Sequence, residues 1–360
     1  MGPFNVLVAL FLTLLPLLPA NAEPTIDEPP GESPAAEIVL FTWADYLDPQ
    51  VASEFERELG VRVRQVYFEN DEVRDGVMAQ TGGAEFDLLL LDNTSLEAYR
   101  KRGWIAPIDA AAIPNRRFVA SRWEQAYPYS SGYAVPYLWG TLGIAYRRDL
   151  IGRDLDSWMD LLRPEEDLAG RMLMSADSLD LIGMALKALG HSMNSADPEA
   201  LAAARDLLLR QKPAVYRYGA LAVNAQSELL SGVVAAAMTY NGDAAALMEE
   251  NDAVVYVVPK EGGALWVDYL AIAAKSGRKD LAATFIDYMN RPRVAARNAE
   301  ALHYATPNAA AEALLPEGVR SDPLVYPDAP TLARCETYAR LPPEALRRRV
   351  QAYASIVFGK

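Results

Sequence analysis

The sequence predicts an α/β protein of two lobes, each a mostly parallel sheet flanked by helices. Three observations carry that expectation. Strand and helix patterns alternate from Glu37 to Arg102 with short turns between them, the alternation restarts at Arg171, and no internal repeat relates the two runs. Short-turned strand–helix–strand alternation requires a parallel sheet covered by helices on both faces. A chain of 360 residues is long enough for roughly two domains' worth of core.

The elements follow in order. An apolar run, Val6 to Leu18, precedes Ala20-Asn21-Ala22, a small-x-small site. Residues 1–22 are therefore expected to be a secretory signal peptide cleaved after Ala22, although the α-amino group is the only positive charge before the run. Residues 23–36 are acidic, proline-rich and without apolar period, which predicts a disordered leader. "EIVLFT" then reads as a strand and "PQVASEFEREL" as a helix, with Pro49 in its first turn and Gly60 at its end. "VRVRQVYF" alternates as a strand, "NDEVRDGVMAQ" is helical and "FDLLLL" is a continuous apolar strand. A helix from Asn93 to Arg102 closes at Gly103. In the second run, "RMLMS" is a strand followed by a helix over Ser178–Leu189 and another opening at Asp197-Pro198. "VVAAAMTY", "AVVYVV" and "ALWVDYLAIA" are further strands, Gly242–Asn251 is a helix, and helices dominate from Lys279 onward.

Composition excludes several function classes. With 34 basic and 48 acidic side chains the net charge is -14, which repels nucleic acid and favours cationic ligands or basic partners. No stretch after the signal is long and apolar enough to span a bilayer, and no cysteine follows the apolar run to carry a lipid. Cys335 is the only cysteine, so an intrachain disulfide is impossible. His191 and His303 lie far apart in sequence, and the expectation is no metal and no cofactor. These features predict an exported, periplasmic protein that is not membrane-embedded.

In open α/β sheets, ligands sit beyond the carboxyl ends of the strands. The turns there carry Trp43, Asp45 and Tyr46 after the first strand and Asp92 after the third. They carry Asp177 and Asp180 after "RMLMS", and Tyr240 and Asp243 after "VVAAAMTY". In "GGALWVDYLAI", Trp266 and Asp268 share one face of a strand. Each has an ordinary structural explanation. Asp92 and Asp177 suit helix caps, Trp43 and Tyr46 suit a core, and Asp268 suits a structural ion pair or a hydrogen-bonded strand end. The alternative is that Trp266 and Asp268 hold a cation from outside the chain. Five segments converging acids and aromatics on one rim favour a cationic ligand with an apolar body.

The ordered segments "LFTWADYLDPQVASEFERELGVRV", "FDLLLLDNTSLEAYRKRGWIAPID", "YAVPYLWGTLGIAYRRD", "SADSLDLIGMALKALG", "VVAAAMTYNGDAA", "EGGALWVDYLAIA" and "HYATPNAAA" extend from about Glu37 to about Asp328. Together they resemble periplasmic spermidine/putrescine-binding proteins, the substrate-binding components of ABC importers. The resemblance implies a two-lobed periplasmic-binding-protein fold with the ligand in the cleft. Lobe I would comprise 37–141 plus 267–312 and lobe II 142–266 plus 313–360, with crossings near Thr141, Val267 and Glu312. It also implies Trp43 and Tyr46 as walls with Asp45 as their acid, and Asp177 and Asp180 as acids of the second lobe. Trp266 becomes a stacking wall, Asp268 an ammonium anchor, and Tyr240 and Tyr304 further aromatics. Departures are Ala44 in place of a hydroxyl residue, Asp92 in place of a serine, Asp243 where members vary between Ser and Asp, and Tyr338 in place of a glutamine.

The implied ligand is spermidine, norspermidine or putrescine, and the implied partner an ABC permease or the periplasmic domain of a membrane receptor, with the protein a monomer. Paired carboxylates would also suit a glycan hydrolase. Walls fitted to an alkyl chain, and the resemblance to non-catalytic binders, argue against an enzyme. The number of acids favours a triamine over a diamine, because unpaired carboxylates in a closed cleft are costly.

Overall fold

The structure is a computed structural model and describes residues 36–69, 71–127 and 130–359. The expected signal peptide lies outside the described residues, as does the leader apart from Ala36. The strands are β1 (Ala36–Thr42), β2 (Val61–Tyr67), β3 (Leu88–Asp92), β4 (Ala134–Arg147), β5 (Met172–Met174), β6 (Val215–Tyr218), β7 (Ala236–Tyr240), β8 (Val254–Val257), β9 (Ala264–Ile272) and β10 (Glu336–Thr337). Their hydrogen-bonded order is β2-β1-β3-β9-β4-β7-β5-β6, with β10 on β9 and β8 on β4.

The two ends of this path are parallel, β1 with β2 and β3, and β5 with β6 and β7. The middle is not. β9 runs antiparallel to β3 and β4, and β4 runs antiparallel to β7 and β8. β4, β6 and β10 are absent from the periodicity reading. β4 is buried on both faces over nearly its whole length, so it shows no alternation to detect.

The apolar residues separate into two main cores. Ile38, Phe41, Phe55, Leu90, Trp139 and Leu270 belong to the first, and Leu142, Ile144, Met172, Leu181, Leu207 and Met238 to the second. Full burial of each such side chain stabilises by about 1.5–3 kcal/mol. β4 passes from one core to the other between Trp139 and Leu142, while β9 passes from Ala264 in the second to Val267 in the first. Two strands are thus shared, and the turns around them are drawn toward one place.

Local chemistry fixes the flanking helices. Asp48 caps the helix Pro49–Leu59 by accepting from Gln50 N, Pro49 needs no N–H partner in the first turn, and Gly60 ends it at φ 66°. Its Val51, Ala52 and Phe55 are buried. Among the described residues no helix is long and apolar enough to cross a membrane, and no group of three His, Cys, Asp or Glu side chains is placed to hold a metal ion.

Candidate functional site

β1 delivers its C-terminus to the turn Trp43–Tyr46. Asp45 stands there at φ 53°, a left-handed conformation that aspartate tolerates better than most residues. The turn places Tyr46 at 5.4 Å from Trp43 and 5.7 Å from Tyr304, ring centre to ring centre. Tyr304 is 4.9 Å from Trp266, and Trp266 is 6.4 Å from Tyr240. All four contacts are edge-to-face, the arrangement that aromatic quadrupoles favour. Trp43, Tyr46, Tyr304, Trp266 and Tyr240 therefore form one row, which starts on the first core and ends on the second.

Two glycines make the row possible. Gly140 on β4 pairs with Trp266 on β9, and a Cβ there would stand 2.4 Å from the indole. A Cβ on Gly242 would stand 2.1 Å from the Tyr304 ring. Any side chain at either position would push a ring of the row aside.

The acids divide by what they touch. Asp268 is buried, and its one side-chain hydrogen-bond partner among the described residues is the Tyr46 hydroxyl, which donates at 2.6 Å. Burial lifts its pKa to about 7, against the opposing Tyr46 hydrogen bond. On the second core, Asp180 is buried and accepts from the hydroxyls of Tyr240 at 2.9 Å and Ser175 at 3.2 Å, and from that of Tyr338. Its pKa also rises to about 7, from burial first and then from the charge of Asp177. Asp243 accepts from Thr239 Oγ1 at 3.1 Å, and burial lifts it to about 6.

Asp92 is different. It pairs with Asp268 in the β3–β9 register, yet its oxygens accept from Thr94 N at 2.7 Å, Ser95 N at 3.0 Å, Ser95 Oγ at 2.6 Å and Arg74 Nη2 at 2.9 Å, and from the Thr94 hydroxyl. The Arg74 guanidinium and these donors outweigh burial and hold its pKa far below the usual carboxylate range. Asp92 thus caps the helix Asn93–Lys101 and pairs with an arginine. Asp177 caps the helix Ser178–Ala188 through Leu179 N and Asp180 N and is exposed. Asp45 is exposed at the turn. The structure therefore joins Trp43, Tyr46, Tyr240, Trp266, Tyr304, Asp180 and Asp268 through direct contacts. It places Asp243 beside them, three residues past Tyr240, and leaves Asp45, Asp92 and Asp177 in turn or capping positions.

Sequence reasoning missed Arg74. It is fully buried, and its guanidinium lies 5.8 Å from the Trp43 ring centre, 5.5 Å from Phe68 and 5.7 Å from Tyr99. The signal was spacing. Arg74 and Met78 are four apart on one helix face, and Met78 is a core residue. Tyr338 is the second omission from the site, a hydroxyl donor to Asp180 where a glutamine was expected.

Buried acids with raised pKa values beside aromatic rings suit a ligand that brings positive charge and apolar surface together. Comparison with known proteins identifies the family. Residues 50–327 match the family model for bacterial extracellular solute-binding proteins. The chain is 31% identical over 301 residues to the spermidine/putrescine-binding periplasmic protein of Escherichia coli (strain K12), covering 83% of this chain and 85% of that one. It is 29% identical over 329 residues to the norspermidine sensor of Vibrio cholerae, covering 91% and 90%. A solved spermidine/putrescine ABC transporter substrate-binding protein from Streptococcus pneumoniae superposes with a TM-score of 0.80 at 27% identity, covering 90% of this chain and 99% of that one.

Proposed function

Because this chain belongs to the bacterial extracellular solute-binding proteins, which bind rather than transform their solutes, we propose that it captures a linear polyamine in the periplasm for delivery to an ABC importer. One observation carries the choice of ligand. Four aromatic rings, Tyr46, Tyr304, Trp266 and Tyr240, run between two buried aspartates, Asp268 and Asp180, with Trp43 continuing the row beyond Asp268, and among the described residues neither aspartate is paired with a basic side chain. Such a row fits methylene segments, and each carboxylate fits an ammonium. Charge-assisted hydrogen bonds contribute about 1.5–3 kcal/mol each and well-placed rings about 0.5–2 kcal/mol. Three anchors and two rings sum to about 5.5–13 kcal/mol before the ordering cost of a flexible chain, and only the upper part of that range reaches the roughly 8 kcal/mol of a micromolar site.

Asp243, and Asp177 beside Asp180, supply further negative charge, which supports a triamine such as spermidine over putrescine. The lobes would be 37–141 plus 267–312 and 142–266 plus 313–360, the working form a monomer, and residues 1–22 the cleaved export signal. Titration calorimetry of putrescine and spermidine at one pH and two salt concentrations tests the proposal. The expected result is tighter spermidine binding that weakens as salt rises. Equal or tighter putrescine binding would refute the triamine preference, and no binding of either would refute the polyamine assignment. A second output, reporting to a membrane receptor, is favoured by the similarity to a norspermidine sensor. Co-purification with a permease or with a receptor ectodomain separates the two.

A further inference from the structure

We propose that Arg74 is a protein-borne stand-in for a ligand ammonium, and that it sets the longest amine the cleft accepts. The inference rests on the polyamine assignment above. The guanidinium is enclosed by the rings of Trp43, Phe68 and Tyr99 and lies 2.9 Å from both Asp92 and Asp71. Aromatic faces plus carboxylates are what an ammonium group requires. This cage is contiguous with the Tyr46–Asp268 anchor. Trp43 contacts both Arg74 and Tyr46, and Asp92 stands opposite Asp268 in the strand register.

Two consequences follow for the ligand. An arginine is charged at every accessible pH, so the cage never releases its cation. An amine anchored at Asp268 that extended one aminoalkyl unit further would bring its next ammonium against the guanidinium, where like charges repel. The site then ends at Trp43, and the acids beyond it are neutralised from within. Removing the guanidinium should reopen the cage as one more ammonium subsite.

The test is the ratio of spermine to spermidine affinity, measured by calorimetry on the full-length mature protein. In the Arg74→Ala variant this ratio should rise about tenfold or more, the scale of one charge-assisted hydrogen bond gained by the longer amine. If that variant does not fold because Asp92 is left uncompensated, Arg74→Ala/Asp92→Ser carries the test. There the open ring faces alone should raise the ratio about threefold. A merely structural Arg74 would lower the melting temperature and leave the ratio as in the wild type, which overturns the inference while the polyamine assignment stands. Failure of the wild-type protein to bind any of these amines would overturn both.

Discussion

Asp92 and Asp268 face each other across one antiparallel ladder, yet they occupy opposite electrostatic worlds. Asp92 receives two backbone N–H groups, two hydroxyls and a guanidinium, and stays ionised. Asp268 receives one tyrosine hydroxyl, and its pKa climbs to about 7. Loss of water pushes both pKa values up and by itself accounts for the rise at Asp268, while at Asp92, whose side chain keeps 20% of its exposure, the donors outweigh it. What separates them is whether the chain supplies enough donors to replace water. A buried acid with its full set of partners serves the fold, and one held short of partners is the one we propose for the ligand.

Substitution should separate the pair sharply. Asp92→Ala removes a helix cap and the partner of a buried arginine, so it should cost about 3–5 kcal/mol of folding stability in denaturant titrations. Asp268→Ala should change the stability of the ligand-free protein by less than about 1 kcal/mol while weakening polyamine binding by roughly 2–3 kcal/mol. If Asp268→Ala instead unfolds the protein and leaves affinity intact, the contrast collapses and Asp268 is structural.

A pH series sharpens the comparison. Asp180 and Asp268 hold protons more tightly in the folded chain, near pKa 7, than their ordinary value of 3.8. Their contribution to stability is therefore complete below about pH 4 and is lost as pH rises through about 7. The melting temperature of the ligand-free protein should carry a downward component from these groups over that range. A bound amine favours the carboxylates, so affinity should rise between about pH 5 and about pH 8, with protons released on binding. Calorimetry near pH 6.5 in two buffers of different ionisation enthalpy reads that release directly. An affinity independent of pH would mean that these acids are not the anchors. The smallest expected effect lies in the wall. Trp266→Ala should cost about 1–2 kcal/mol of affinity and Trp266→Phe less than about 1 kcal/mol, and no loss in either would remove the indole from the site.

Much of this arrangement was legible in the residues. The helix Pro49–Leu59 begins and ends where Asp48, Pro49 and Gly60 dictate. The strand-end rule pointed at Trp43, Tyr46, Tyr240, Trp266 and Asp268, and the rings meet in one row. Tyr304 needed the family resemblance, because nothing in its local pattern places it against Gly242. Local pattern could not sort the acids either. Asp92 and Asp268 both follow apolar runs, and only the third dimension brings Arg74 to the one and withholds it from the other. The antiparallel course of β4 and β9 was likewise hidden, since direction depends on which core each strand enters and not on its composition.

The protonation of Asp180 and Asp268 has a further consequence, for whatever receives the loaded protein. On the proposed assignment these two acids give up protons as ammoniums arrive in mildly acidic surroundings, so part of the ligand's charge is exchanged rather than added. The net charge would then rise on loading by less than the ligand's own charge. A membrane partner of the proposed kind would have less difference in charge to read, which would put more of the discrimination on contour.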